Sequence, residues 1–338
     1  MNTPLISVIT AVYNGSAFIE ETIQSILGQT ITNFEYIIID DASTDDSVAR
    51  IHRFTDPRIR LIRNTTNLRI IQTRNLGLKE AKGRYIALID HDDVALPYRF
   101  EEQIEVISHD PEVVMVASYA VNIDQFGKEG SIRGNIVDVN DELKIRLLFR
   151  NPFVNSTLMF KNFYEDDFRY NSDYPLSEDY DFIVRLAEKG KLYLIKQVLL
   201  KYRIHSNNYS QFMNNSMIER GSAIKRRLLV KLGASPSDND LWIHTNFEHE
   251  LAHYDLKLLN AISQWTSSLI KFNQYSKIYN NHSFKKISNN ELSIVAEKSI
   301  EFIKNNVYIY FKKPLFLALL CNPSACFRII IKYLFHKF

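Results

Sequence analysis

Asp90-His91-Asp92-Asp93 puts three carboxylates directly after the apolar run Tyr85-Ile86-Ala87-Leu88-Ile89. A buried strand has no packing use for three acids at its tip. Unpaired, they repel one another and lose solvation. A divalent cation offsets both effects, and hard oxygen donors on a short loop suit Mg2+ or Mn2+. Such an ion commonly completes its shell with substrate phosphates. The segment therefore points to a nucleoside-diphosphate ligand. The competing reading is a solvated acidic turn.

The elements around this loop alternate between strand and helix patterns. Residues 5–10 form a β-rich apolar run, and residues 18–29 place Ile19, Ile23, Ile26 and Leu27 on one helical face. Tyr36-Ile37-Ile38-Ile39 reads as a second buried strand, followed by a helix starting near Asp45 or Asp46. Residues 58–63 are a short third strand, and 71–82 a helix stopped by Gly83. Pro97 opens a helix with Phe100, Ile104 and Ile107 inward, and 113–118 is a further strand. This alternation predicts an α/β fold with a mostly parallel sheet. Ligands of such sheets bind beyond the carboxyl ends of the strands. Three polar clusters lie at such ends: Tyr13-Asn14-Gly15, Asp40-Asp41 and Asp90-His91-Asp92-Asp93. No Gly-x-Gly-x-x-Gly follows the first strand and no Gly-Lys-Ser/Thr loop is present, which argues against dinucleotide and Walker-type sites.

Bulk properties narrow the class further. The 338 residues are 46% hydrophobic and 24% charged, as in a globular protein of one large or two ordinary domains. A net charge of +2 implies no nucleic-acid partner. Cys321 and Cys326 are close together and late, so a disulfide framework is not expected and a cytoplasmic location is. The start of the chain has no signal-peptide pattern, and no apolar run is long enough to span a membrane.

Six segments in order carry a family resemblance. They are 7–15 (SVITAVYNG), 38–47 (IIDDASTDDS), Arg74-Asn75-Leu76-Gly77, Asp90-His91-Asp92-Asp93, 177–182 (SEDYDF) and Tyr202-Arg203-Ile204-His205. On these motifs the chain resembles the inverting glycosyltransferases of family two, over roughly residues 5–210. Ala42 departs from the pattern, where the family usually has glycine. The resemblance implies the GT-A fold: a Rossmann-like, mostly parallel central sheet flanked by helices.

It also implies roles. Ala11, Tyr13, Asp41, Arg74, Asp90 and His205 would bind the donor, with Tyr13 stacking on the base and Asp41 accepting from base or ribose. Asp92, Asp90 and His205 would meet the metal, with Asp93 nearby; His91 is given no role. Asp179, in a loop before the amphipathic helix around Phe182, would be the general base, and Glu178, Asn155 and Ser156 would face the acceptor. Each has a plainer physical alternative. Tyr13 fits a half-buried strand end, Asp40 and Asp41 fit capping, Arg74 a surface ion pair, and Glu178 and Asp179 a helix cap. Asp40 and Asn75 are expected to hold backbone. Arg203 is a candidate alongside His205 for closing over the diphosphate.

The motif signal ends near residue 215. The expected division is a catalytic domain over 1–215, with a nucleotide-sugar half to about 120 and an acceptor half over 121–215, followed by a mainly helical region over 216–338. A basic helix is expected over 218–232, a helical stretch over 240–270 and a polar break over 280–290. From Phe302 onward there is no acid, and Phe327, Ile330, Ile331, Leu334 and Phe338 share a face opposite Arg328, Lys332 and His336. That pattern suits a helix lying on an anionic membrane, or one packed on the catalytic domain. The combined expectation is a Mg2+- or Mn2+-dependent inverting glycosyltransferase, hexosyl- or N-acetylhexosaminyl-type. It would take a nucleoside-diphosphate sugar, UDP-linked first, and a glycan or lipid-linked acceptor in capsule, polysaccharide or lipopolysaccharide synthesis. It would sit in the cytoplasm or peripherally on the inner face of the cell membrane. The rivals are a haloacid-dehalogenase-type phosphatase, which would carry Asp90-x-Asp92-x-Val94 after its first strand, a sugar nucleotidyltransferase, and an inactive nucleotide-sugar-binding scaffold.

Overall fold

The computed structural model describes residues 3–134, 140–163, 168–206, 215–245 and 256–305. Its organising strands are those whose residues are apolar on both faces, as a sheet covered by helices on two sides requires. Ile6–Val12 (β1) is buried throughout, Phe34–Asp40 (β2) nearly so, and Tyr85–Leu88 (β4) throughout. Between them come Ile19–Leu27 (α1), the short Ser47–Ile51 (α2), Ile59–Arg63 (β3) and Arg69–Glu80 (α3). There follow Val94–Ala95 (β5), Arg99–His109 (α4), Val113–Ile123 (β6), Glu129–Arg133 (β7) and Asn140–Phe149 (α5). Met159–Lys161 (β8), Glu178–Lys189 (α6) and Lys191–Arg203 (β9) complete the sheet region.

The strands form one sheet in the order β3-β2-β1-β4-β8-β6-β9-β5, with β7 paired to β6. β1, β2, β3 and β4 are mutually parallel, and β6 and β9 are parallel to each other. β8 runs against both β4 and β6, and β5 against β9. Val12 pairs with Asp40 and Ile9 with Leu88, so the three polar strand ends open on the same edge. The core beneath is aliphatic, centred on Ile6, Val8, Ile19, Ile23, Tyr36, Ile38, Ala87, Phe100 and Met159. Gly77 lets α3 lie close against β1 and β2: a Cβ there would come 2.5 Å from Ile9 Cγ2 and 2.9 Å from Ile39 Cδ1.

Two strands run longer than the periodicity predicts. β6 continues five residues past Ser118, and β9 begins seven residues before Val198, although the apolar run over 198–202 predicts only its end. The β6–β9 pairing jumps from Ser118↔Ile195 to Tyr119↔Val198, leaving Lys196 and Gln197 as extra residues on β9. A bulge of that kind breaks the alternation from which a strand is read.

By Cα proximity the chain divides into one unit of Met1–Lys144 with Asn151–Arg220, and a second of Ile145–Arg150 with Gly221–Phe338. The second unit contains most of Asn215–Lys231 (α7), with Asp238–Thr245 (α8), Leu256–Ser276 (α9) and Asn281–Asn305 (α10). The helical stretch expected over 240–270 is thus two helices, with the residues between them outside those described. The polar break expected over 280–290 is corrected: it lies inside α10. Asn280 Oδ1 accepts the His282 and Ser283 amides and starts that helix, and Phe284, Ile287, Leu292 and Val295 bury one face. Within this unit Glu291 is fully buried between Arg146 and Arg150. His244 is also fully buried; its Nε2 bonds to the Leu148 carbonyl at 2.8 Å, and Trp265 Nε1 donates to its Nδ1 at 3.1 Å. Burial, with Lys225 nearby, lowers its pKa to about 3. The basic amphipathic segment at 327–338 lies outside the described residues. Among those described, no helix is long and apolar enough to cross a membrane.

Candidate active site

The first two strand ends are tied into one rim. Asn14 adopts φ 52°, and its Oδ1 accepts the Thr44 amide at 2.8 Å while its own N–H donates to Ser43 Oγ at 3.0 Å. Gly15 N donates to Ser47 Oγ and Ser16 N to Asp45 Oδ2. Gly15 also leaves room for the His91 ring, which a Cβ would meet at 2.4 Å. Tyr13 stands 47% exposed on this rim with a ring face to offer, whereas Ala11 is buried in β1 opposite Ile39. Asp40 receives the Ser43 amide at 3.2 Å, so it does shape its loop. Asp41 is buried and receives Asn64 Nδ2, Leu68 N and Arg69 N at 2.8–2.9 Å. That carboxylate ties the start of α3 to the end of β2, and capping of α2 falls to Asp45 instead.

The Asp90–Asp93 loop is held from several sides. Ser156 Oγ accepts the Asp90 amide at 3.0 Å. Thr22 Oγ1, on α1, reaches the carbonyls of His91 (2.9 Å) and Asp93 (2.8 Å). His205 Nε2 lies 2.9 Å from Asp92 Oδ2. Burial works against the Asp92 charge, but the His205 bond and the neighbouring imidazoles outweigh it and hold the carboxyl below its ordinary value. Asp93 is fully enclosed. Burial, with the charges of Asp92 and Asp90, pushes its carboxyl well above the usual range. Ser156, expected to face the acceptor, is fully buried behind this loop, and its hydroxyl supports Asp90.

Asp90 itself turns away from the Asp92–His205 pair. Its Oδ1 takes Arg74 Nη2 at 2.8 Å, and Arg74 Nη1 takes Glu178 Oε1 at 3.1 Å. Arg74 is therefore a bridge between the β4 loop and α6, seated over the Tyr170 ring, rather than a cation open to a diphosphate. Asp90 is thus engaged through Oδ1 by Arg74, while its side chain stays about one-third exposed (32%). Asn75 clamps Tyr170 through both its amide atoms, at 2.7 and 2.9 Å. Glu178 and Asp179 do not precede the helix: they are its first two residues, where negative charge is stabilised by the helix dipole. Leu176, at φ 70°, makes the turn into it. Asp179 Oδ1 takes the Tyr180 amide (2.7 Å) and Oδ2 takes Asn151 Nδ2 (3.2 Å). Burial raises the pKa of Asp179 and of Glu178, against the pull of Arg74. Glu178 Oε2, the Tyr170 hydroxyl and both amide atoms of Asn155 are buried without a hydrogen-bond partner.

No group of three His, Cys, Asp or Glu side chains converges on one point among the described residues. Asp92 and His205 do converge, and a carboxylate with an imidazole is a donor set that Mg2+ or Mn2+ accepts when water and phosphate fill the remaining positions. Sequence reasoning missed Thr22, the supporting role of Ser156 and the Asn151 contact to Asp179. Nothing in their spacing distinguishes these side chains from ordinary helix and loop polar residues.

Comparisons with known proteins bear on the family and the fold. The glycosyl transferase family 2 model matches residues 7–168. An uncharacterized glycosyltransferase of Haemophilus influenzae is 35% identical over 238 residues, 67% of this chain and 73% of that protein. Uncharacterized glycosyltransferase MJ1057 of Methanocaldococcus jannaschii is 32% identical over 222 residues, 62% of this chain and 74% of that one. Among solved structures, S. aureus TarS 1–349 in complex with UDP-GlcNAc has a TM-score of 0.56 at 14% identity, over 84% of this chain and 90% of that chain. The mannosyltransferase PcManGT from Pyrobaculum calidifontis, in complex with GDP-Man and Mn2+, has a TM-score of 0.53 at 16% identity, over 89% of this chain and 88% of that chain. At these identities the structures establish the fold, of GT-A type.

Proposed function

This chain belongs to glycosyl transferase family 2, and we propose that it is a metal-dependent inverting enzyme using a nucleoside-diphosphate sugar, UDP-linked in the first instance. The observation that carries the reading is the linked pair of acidic centres. Asp92 with His205 lies at the end of β4, and Asp179 at the start of α6, with Asp90–Arg74–Glu178 between. In this reading Tyr13 stacks on the base and Asp41 floors the nucleoside pocket. Asp92 and His205 would hold the divalent ion, which when bound neutralises charge on the departing diphosphate. The acceptor hydroxyl oxygen attacks the anomeric carbon as the bond from that carbon to the diphosphate oxygen breaks. Asp179 takes the hydroxyl proton, and its raised pKa suits a base. One base on the face opposite the leaving group inverts the anomeric centre.

The acceptor is proposed to be a sugar hydroxyl of a glycan or lipid-linked glycan in surface-polysaccharide assembly, with Glu178 and Asn155 as its contacts. The unpartnered Glu178 Oε2 and Asn155 amide support that assignment, since buried polar atoms lacking a protein partner are places where a ligand's hydroxyls fit. The proposed setting is the cytoplasm or the inner membrane face, and the membrane part rests on the basic C-terminal sequence. The test is titration of UDP, GDP, dTDP and CMP with and without Mn2+, alongside Asp92→Asn. Metal-dependent binding of one nucleoside diphosphate, weakened in the variant, is expected. Absence of binding by all four overturns the donor-site assignment.

A further inference from the structure

His205 is not the only residue at the end of β9 that holds the Asp92 loop. Arg203, two residues earlier, is 2% exposed and has its guanidinium divided among three elements. Nε donates to the Asp92 carbonyl at 2.8 Å, Nη1 to the Asp124 carbonyl at 3.3 Å, and Nη2 to Glu21 Oε2 on α1 at 2.5 Å. Its backbone N–H donates to Asp93 Oδ1 at 2.9 Å. The guanidinium carbon sits 4.6 Å from the centroid of the Phe18 ring, and Phe18 lies 5.0 Å from the His205 ring. Asp92 is thus gripped twice by one strand end, through its carbonyl by Arg203 and through its carboxylate by His205. Phe18 backs both grips.

We propose that Arg203, braced by Phe18 and Glu21, is a positioning residue that sets the orientation of the Asp92 carboxylate and the His205 ring toward the divalent ion. Its burial and its committed nitrogens take it out of direct contact with the diphosphate, which its motif position alone had left open. The inference rests on the donor-site reading above. The Arg203 backbone N–H on the Asp93 carboxyl and its guanidinium on the Asp92 carbonyl thus fix two successive residues of the loop from one strand end.

The test uses the full chain, with Arg203→Lys and Glu21→Gln compared with wild type. Mn2+ affinity in the presence of UDP is measured by titration, and amide hydrogen exchange is followed over residues 90–93. Partners that orient metal ligands typically change affinity by about 10- to 100-fold when removed. Arg203→Lys keeps the charge but not the fork, so Mn2+ affinity is expected to fall by about that factor. Donor KM should rise in step, kcat at saturating Mn2+ should stay near wild type, and exchange at 90–93 should quicken. Glu21→Gln, at an exposed partner, gives a smaller change in the same direction and serves if the lysine variant does not fold. Wild-type Mn2+ affinity and exchange in folded variants overturn the inference while leaving the donor site standing. No Mn2+ or UDP binding by wild type overturns the donor site. In that case unchanged exchange at 90–93 in the variants overturns the Arg203 brace as well.

Discussion

The two acidic centres of this site are built differently. Around Asp92 the hydrogen bonds are closed within the protein: Ser156, Thr22, Arg203 and His205 each hold the loop. The orphan there, Asp93 Oδ2, belongs to a carboxyl whose raised pKa favours the proton. Around Asp179 the reverse holds. Glu178 and Tyr170 keep buried polar atoms with no partner, although each such atom costs about 1–3 kcal/mol. A closed centre is set before its ligand arrives and costs no reorganisation in the reaction. An open centre is completed by the ligand, which ties its occupancy to a molecule bearing the matching hydroxyls. Donor geometry is in this sense a property of the fold, and acceptor recognition a property of the complex.

The largest expected effect separates the centres outright. Asp179→Asn should lower kcat by about 10²- to 10⁴-fold, the usual contribution of a positioned base, while nucleotide affinity stays at the wild-type level. Equal loss of nucleotide binding would mean the two centres are one. Because burial raises the Asp179 pKa, the base is lost as pH falls through a value above its ordinary one. The acid limb of kcat/KM should therefore lie at higher pH than an unperturbed carboxylate would give, and Asp179→Asn should remove it. Next in size, Ser156→Ala leaves the part-buried Asp90 amide without its acceptor and should destabilise the protein by about 1 kcal/mol, read by chemical denaturation. Smallest on stability is Asn155→Ala, at the proposed acceptor contact. Its amide makes no hydrogen bond here, so the denaturation midpoint should hold or rise slightly while acceptor KM increases. A loss comparable to that of Ser156→Ala would show that the acceptor side is closed too.

The sequence carried the fold wherever burial was two-sided and uninterrupted. β1, β2 and β4 are continuous apolar runs, and their polar tips met at one edge as expected. It carried less where pattern and structure part. The bulge at Lys196-Gln197 hid most of β9, and the two-residue β5 is too short to have a period. Ala42 is legible in retrospect. It sits at φ 59°, a conformation that suits glycine and that an alanine holds at roughly 1 kcal/mol. In the site, residue types pointed to chemistry but not to partners. Arg74 was read as a hand for phosphate because its spacing places it near the donor loop; that it grips Asp90 and Glu178 depends on α6 returning beside β4, 104 residues away from Glu178 in sequence. Ser156 and Thr22 hold the loop through hydroxyls that no motif distinguishes.

His244 makes the helical unit sensitive to acid. Its ring donates to a carbonyl on one side and accepts from an indole N–H on the other, so an added proton on Nδ1 would face a donor with no lone pair. In the unfolded chain the same ring binds a proton at its ordinary value of 6.5, against about 3 when folded. Between those values the unfolded form holds the extra proton, and stability is lost as pH drops, by up to about 1.4 kcal/mol per pH unit. Both tryptophans, Trp242 and Trp265, belong to this unit. Tryptophan emission, excited selectively, therefore reports on the helices and not on the sheet. A denaturant midpoint recorded by fluorescence should shift downward between pH 7 and pH 5, and His244→Gln should flatten that shift.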